Sequence, residues 1–487
     1  MIFVYLLCGM YGIAMSFIFV YSLAQGHLLF HFLKARRLTN SIAPPAPKVW
    51  PKVTVQLPVF NEIYVVERLI DAVAKLNYPK GLLQIQILDD STDQTSDLIR
   101  EKLWAYPDID FQYIHRSNRV GFKAGALREA LEKASGEFVA IFDADFVPDP
   151  DFLINTLPYF SSEKIGMVQT RWTHLNRDYS LLTRLQAIAL DTHFMIEQTG
   201  RNHLGAFINF NGTGGIWRKS CIYDAGNWHD DTLTEDLDLS YRAQRKGWEF
   251  VYRPDIESPS ELPPVMSAIK SQQFRWTKGG AECAIKHFGK VKKENYPFWL
   301  KFHSFAHLFN SVIFIAVLVA SLSSVGVWWA GERGLIPAGL MQVSGIFLIG
   351  LAFVAGTYLI SFFFERQSYF KSVFDAFWQL PLFLSVSMGL SLHNSAAVWE
   401  GLTGKKSPFI RTPKFNLGSF NEKPSNNRYL VDRMPMTTWM EGALALLFWV
   451  MVVLAVQTDY LLFLPFHIML AVGYSLVFVQ SYNSYRR

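Results

Sequence analysis

Two carboxylates one residue apart, Asp143 and Asp145, close a short apolar run from Phe138 to Phe142 and are followed by Pro148. The run reads as a buried strand, which places the pair at a strand's carboxyl end, where open α/β sheets keep their ligand crevices. Hard oxygen ligands there suit Mg2+ or Mn2+ carrying a substrate's phosphates. The competing reading is a surface turn, since Asp and Pro are both common turn residues. Leu57-Pro-Val-Phe-Asn-Glu62 and Leu88-Asp-Asp-Ser-Thr-Asp93 likewise set acids, Glu62 and Asp90 among them, at the ends of apolar runs. Three such ends on one sheet edge would concentrate negative charge that repels itself unless a cation sits there.

Other stretches offer complementary chemistry. Gly121 and Gly125 bracket a helix start that carries Lys123. Free backbone N–H groups and a lysine can meet a diphosphate there; the spacing is not that of a P-loop, and a solvated basic helix start is the alternative. Gly205 to Gly215 interleaves Phe207, Phe210 and Asn211 with glycines, which fits either a sugar's apolar face or a core turn. Asp236, in Thr234-Glu-Asp236, opens a helical stretch from Leu233 to Ala243. It is either a favourable charge on the helix dipole or a general base aimed into the cleft. Gln272, Arg275 and Trp276 join an amide, a guanidinium and an indole, which can bind a sugar diphosphate and stack on a pyranose, or can form ordinary helix surface.

The elements that must position these groups alternate. Val53–Leu57 and Ile85–Leu88 read as strands, and Tyr64–Leu76, Thr95–Trp104 and Lys123–Ala134 read as helices. That pattern predicts a mostly parallel sheet with helices on both faces.

Outside this region the chain looks lipid-facing. Of 487 residues, 50% are hydrophobic and 18% charged, which places part of the chain in a bilayer. The net charge of +5 sits largely beside apolar segments, so membrane topology accounts for it and no nucleic-acid partner is expected. Cys8, Cys221 and Cys283 have neither disulfide-framework nor zinc-site spacing. Residues 1–33 carry no charged side chain and are followed by Lys34, Arg36 and Arg37. They read as a retained transmembrane helix with the following residues in the cytoplasm; a cleaved signal peptide is the competing reading. A Pro-rich linker, Ala43–Pro47, leads off the membrane.

Downstream, Lys278–Lys301 carries six lysines and reads as an interfacial helix on an anionic leaflet, or as a soluble amphipathic one. Leu308–Ala330 and Leu335–Phe364 form a hairpin returning to the cytoplasm at Glu365 and Arg366. Val373–Trp399, with Asp375, Pro381 and His393, reads as interfacial or re-entrant. A basic loop, Gly401–Arg433, precedes a last hairpin, Gly442–Thr458 and Tyr460–Gln480, with Arg486 and Arg487 as a cytoplasmic tail.

Taken in order, Asp90, Asp143-x-Asp145, Thr234-Glu-Asp236 and Gln272-x-x-Arg275-Trp276 resemble the D, D, D, QxxRW signature of processive family 2 glycosyltransferases, the group of cellulose, chitin and hyaluronan synthases. Phe60-Asn-Glu62, Leu88–Asp93, Gly121–Leu127 and Phe210–Arg218 are closest to the plant cellulose-synthase-like mannan and glucan synthases. The resemblance implies a GT-A-like, Rossmann-like mixed-sheet α/β domain in the cytosol joined to a helical membrane region. Glu62, Asp90, Lys123 and Asp143 would meet the nucleotide sugar, and Asp143 and Asp145 would hold Mg2+ or Mn2+. Asp236 would be the base, Gln272 and Arg275 would steady the leaving group, and Trp276 would stack under the acceptor. Phe146 departs from the His of cellulose synthases. Phe409-Ile-Arg411-Thr412-Pro-Lys414 resembles their F-x-V-T-x-K gating loop, with Arg411 in place of Val; an ordinary cytoplasmic loop is the alternative.

The expected organisation is a transmembrane helix (1–33), linker (34–52), glycosyltransferase domain (53–276), interfacial helix (277–302), membrane hairpin with interfacial segment (303–400), cytosolic loop (401–436) and final hairpin with tail (437–487). The expected activity is transfer of hexose from UDP-glucose or GDP-mannose to a growing β-1,4-glucan or mannan, coupled to export across the cell (inner or plasma) membrane. Accessory export subunits and membrane lipids would be partners. The alternatives are single transfer to a lipid acceptor, and a non-catalytic transporter or sugar-binding protein.

Overall fold

The computed structural model describes residues 2–38, 44–336, 345–365, 369–407, 410–417, 427–430 and 434–486. Arg366, Phe409 and Arg487 lie outside the described residues, as do parts of the linker, the 335–364 segment and the 401–433 loop.

Seven strands form one sheet: β1 (Val53–Val59), β2 (Leu83–Asp89), β3 (Phe111–His115), β4 (Phe138–Ile141), β5 (Ile165–His174), β6 (Gly215–Arg218) and β7 (Glu249–Ser260). Their order is β3-β2-β1-β4-β6-β5-β7. The first four are mutually parallel; β6 runs antiparallel to both β4 and β5, and β7 is parallel to β5. The sheet is therefore mixed. Gly212 and Gly214, with φ angles of 83° and 64° that favour glycine, lead into β6, and the Gly214 amide bonds the Ile141 carbonyl at the end of β4 at 2.9 Å.

Side chains alternate across β4 as the two-residue period requires. Phe138 and Ala140 join a core with Leu69, Ile70 and Val73 of the Val66–Ala74 helix, while Val139 and Ile141 join one with Leu127 and Leu131 of the Phe122–Lys133 helix. Each fully buried aliphatic or aromatic side chain contributes about 1.5–3 kcal/mol, and burial on both faces fixes the register. Buried amides cross the sheet as well: Gln56 donates to Gln86 at 3.0 Å and Gln86 to Gln112 at 2.8 Å.

Among the described residues, five helices are long and apolar enough to cross a membrane: Ile2–Arg37, Asn310–Glu332, Phe347–Phe364, Met436–Gln457 and Leu464–Tyr485. Ser372–Gly389 and Ser391–Leu402 form a pair bent by 49°, a broken span or a re-entrant loop.

The expected helix over 278–301 does not exist as one piece. Its first part continues the Met266–Lys293 helix, so Gln272, Arg275 and Trp276 share a rod with the lysine-rich end. A second helix begins at Phe298, after Pro297, which cannot continue the preceding hydrogen-bond ladder. The long helix is pinned to the apolar helices by two lysines. Buried Lys270 bonds Glu441 at 2.6 Å, and Lys278 bonds Glu400 at 3.2 Å.

Candidate active site

Strands β2, β1 and β4 are adjacent and parallel, so Asp90, Glu62 and Asp143 emerge on one edge of the sheet. Each of these acids also faces a cation supplied by the chain. Arg116 grips Asp90 through two bonds, of 2.8 and 2.6 Å, and is itself held by Glu129 at 2.8 Å and the Phe122 carbonyl at 2.9 Å. Lys123 bonds Asp143 at 2.5 Å and the Gly212 carbonyl at 2.8 Å. Lys414 bonds Asp145 at 2.6 Å, and Arg411 pairs with Glu62.

The last two cations come from a loop hundreds of residues downstream, seated in the cleft. Arg275 donates to Thr412 at 2.8 Å, and the Phe415 amide donates to buried Glu261 at 2.8 Å. Burial raises the Glu62 carboxyl to about 7, against the pull of Arg411 and Lys414. One buried oxygen of Glu62 and one of Asp145 have no protein partner among the described residues.

Asp89 does not join the edge. It turns into the fold, accepting from Ser96 at 2.5 Å and Tyr113 at 2.6 Å, and is structural. Phe146, which follows the acid pair, is buried against Trp172 with ring centroids 5.3 Å apart.

Asp236 lies in the first turn of the Glu235–Arg245 helix, where its carboxylate accepts from the Leu237 amide at 2.8 Å. Burial and the neighbouring Glu235 push it up to about 7, and Lys123 opposes them. Burial raises Glu235 as well. Lys123 reaches Glu235 at 4.0 Å as well as Asp143, so one ammonium serves both acid groups. Burial works against the lysine's charge, but Asp143 and Glu235 outweigh it and raise its pKa.

One cavity is lined by Lys123, Asp143, Asp145, Asp236, Gln272, Arg275 and Trp276, and a second, beside it, by Glu62, Asp90, Lys123, Asp143, Asp145 and Arg275. The nine residues to which the family resemblance gives roles thus line two cavities that share Lys123, Asp143, Asp145 and Arg275, whereas Phe207 and Phe210 line neither and are buried in the fold. Sequence reasoning missed Arg116, Glu235 and Glu261, and gave no partner to Arg411 or Lys414. For those two the signal was the gating-loop-like stretch.

The donor set at Asp143 and Asp145, hard oxygens including the unpartnered buried oxygen of Asp145, fits a divalent cation. Another group with ligand spacing, His229, Asp231 and Asp238, does not, because Arg242, Lys286 and His287 already bond Asp238 at 2.7–2.9 Å.

Residues 51–279 match the family model described as Glycosyltransferase like family 2. Probable glucomannan 4-beta-mannosyltransferase 3 of Oryza sativa subsp. japonica is 36% identical over 402 residues, covering 80% of this chain and 70% of its own. Probable glucomannan 4-beta-mannosyltransferase 4 of the same plant is 43% identical over 281 residues, 56% of this chain and 50% of its own. Glucomannan 4-beta-mannosyltransferase 7 of Arabidopsis thaliana is 41% identical over 281 residues, again 56% and 50%. The chain thus spans about half the length of most curated relatives it matches. Among solved structures, the mannosyltransferase PcManGT from Pyrobaculum calidifontis, in complex with GDP-Man and Mn2+, superposes with a TM-score of 0.54 at 20% identity, over 82% of this chain and all of that one; the likeness shows the GT-A fold.

Proposed function

We propose that this chain, which belongs to the family 2 glycosyltransferases, transfers mannose from GDP-mannose to the end of a β-linked glycan with inversion at the anomeric carbon. The observation that carries the reading is the convergence of Asp143, Asp145, Asp236, Gln272, Arg275 and Trp276 around one cavity. The choice of mannose over the glucose of UDP-glucose is supported by the names of the relatives and by the GDP-Man held in the PcManGT complex.

Asp236 takes the proton from the acceptor's hydroxyl as that oxygen attacks the anomeric carbon. A new carbon–oxygen bond forms on one face while the bond to the diphosphate breaks on the other. The carboxyl's position near 7 matches a base that must be largely ionised yet still basic at neutral pH. Asp143 and Asp145 would hold Mg2+ or Mn2+, which when bound supplies positive charge against the departing diphosphate. Arg275 and Lys123 face the same region and add fixed cations; Glu62 and Asp90 lie on the nucleotide side. Trp276 offers an indole face to the acceptor's terminal sugar.

The five long apolar helices support a multi-pass membrane enzyme whose catalytic half faces the cytoplasm, with export of the glycan along the bundle. The test is incubation of the purified protein, in lipid with Mn2+, with labelled GDP-mannose and UDP-glucose separately, followed by sizing and digestion of the product. A polymer made from GDP-mannose and cut by a β-1,4-mannanase is expected. Label carried on a lipid as a single sugar, or transferred only from UDP-glucose, would overturn the reading.

A further inference from the structure

A column of side chains leads to Asn211, which lines the same cavity. Asn211 sits one residue before Gly212, whose carbonyl holds Lys123. Its amide is fixed from both ends. Gln198 Nε2 lies 2.8 Å from Asn211 Oδ1, and Asn211 Nδ2 lies 3.2 Å from His193 Nε2. The other ring nitrogen of His193 is 3.1 Å from Glu197, which buried Arg201 also bonds at 3.1 Å.

Gln198 Nε2 also lies 3.1 Å from the Asn209 carbonyl, which can only accept, so Gln198 presents its NH2 and donates to Asn211 Oδ1 as well. Asn211 then turns its NH2 to His193 Nε2, which accepts, and the proton on His193 Nδ1 points to Glu197. Burial favours a neutral Glu197, but Arg201 holds the carboxyl down at about 2. One N–H and one carbonyl lone pair of Asn211 remain for the cavity. A sugar hydroxyl, donor and acceptor at once, fits that pair.

A second observation is the backbone that makes the column. The helix from Leu181 to Leu204 changes to a π-helical turn over His193–Gln198. Such turns are rare and gather at functional sites. The wider turn is what lets His193 and Gln198, five apart in sequence, both reach Asn211.

We propose that Asn211 reads a hydroxyl of the donor hexose, and that the His193–Glu197–Arg201 column positions its amide for that purpose. The donor sugar, rather than the acceptor, is indicated by place: Gly212, next to Asn211, lies against Asp236 on the reacting side and against Lys123, which bonds Asp143 on the diphosphate side. Phe146 and Trp172 supply apolar surface in the same cavity, so the amide stands out as a polar contact against it. His193, Glu197 and Arg201 are positioning residues and do not touch the sugar.

The proposal rests on the glycosyl-transfer reading, and the experiment separates the two. The full chain in lipid with Mn2+ is titrated with GDP-mannose, GDP-glucose, UDP-glucose, GDP and UDP, and transfer is measured for each donor. The donor preferred by the unaltered protein tests the function. The extra affinity that a hexose adds over its free nucleotide tests the column, on whichever donor binds. Asn211→Ala should lower kcat/KM for that donor roughly 10- to 100-fold and blunt its preference between mannose and glucose, with free-nucleotide affinity unchanged. Glu197→Gln and His193→Phe should show part of the same loss, and Glu197→Asp, which keeps the carboxylate, should recover most of it. An unchanged hexose preference in Asn211→Ala would overturn the reading of the hydroxyl. Equal behaviour of Glu197→Gln and the unaltered protein would overturn the positioning column.

Discussion

At the nucleotide end of the cleft Asp90, Glu62 and Asp145 each have a cation of their own, whereas Lys123, which bonds Asp143, is also 4.0 Å from Glu235 and is the cation that acts on Asp236. Burial raises Glu62 to about 7 even though Arg411 pairs with it, and raises Asp236 to about 7 with the neighbouring Glu235 adding to the effect. What sets Asp236 apart is therefore the like charge beside it and its place on the reacting side of the cleft. A second contrast lies within the nucleotide end. Arg116 is 26 residues from Asp90 and locked by Glu129 and backbone carbonyls; Lys414 reaches Asp145 from 269 residues away on a loop. The first pair is part of the fold, and the second is one that an arriving cation can replace.

Asp236→Asn attacks the first contrast at its centre. Transfer should fall by roughly 10²–10⁴-fold in single-turnover assays while nucleotide binding, measured by titration, persists. Loss of nucleotide binding instead would remove Asp236 from the base role. Arg116→Leu strands Asp90 as an uncompensated buried charge, and should destabilise the catalytic half by about 3–5 kcal/mol in denaturant unfolding. Asp145→Asn should raise the Mn2+ concentration for half-maximal transfer by at least the roughly 10- to 100-fold seen when metal-site partners are lost. Lys414→Met should move the same quantity the other way, by about two- to five-fold, because it removes a partly screened competitor for Asp145. If Lys414→Met raised the metal requirement, the loop would be helping to build the site rather than occupying it.

The strands, the three acidic strand ends and the QxxRW helix were legible because each is a local pattern: an apolar run, a turn, a spacing. What was not legible depends on distant partners or on the direction of a single side chain. Asp89 and Asp90 are adjacent and chemically identical, and only the two-residue period of β2 turns one into the fold and the other out to the cleft. Arg411 and Lys414 stood in a basic loop whose destination no spacing records. His193 and Glu197 stand at an ordinary i, i+4 spacing, and the π-helical turn that brings them to Asn211 leaves no signature in residue type. The expected helix over 278–301 failed because lysine content says how polar a stretch is, and not where its ladder breaks.

The central claim is that burial beside the like charge of Glu235 raises Asp236 to about 7 and makes it the base. The direct measurement is the pH dependence of the transfer step in a preformed complex with donor and glycan acceptor, comparing the unaltered protein with Glu235→Gln. Glu62→Gln, measured alongside, removes the other carboxyl of the cleft that is raised to about 7. The rate should rise with pH through about 7 as Asp236 ionises, and the rise should move to lower pH in Glu235→Gln, because the like charge that raises Asp236 has been removed. A flat profile across that range, or a shift to higher pH in Glu235→Gln, would contradict the account.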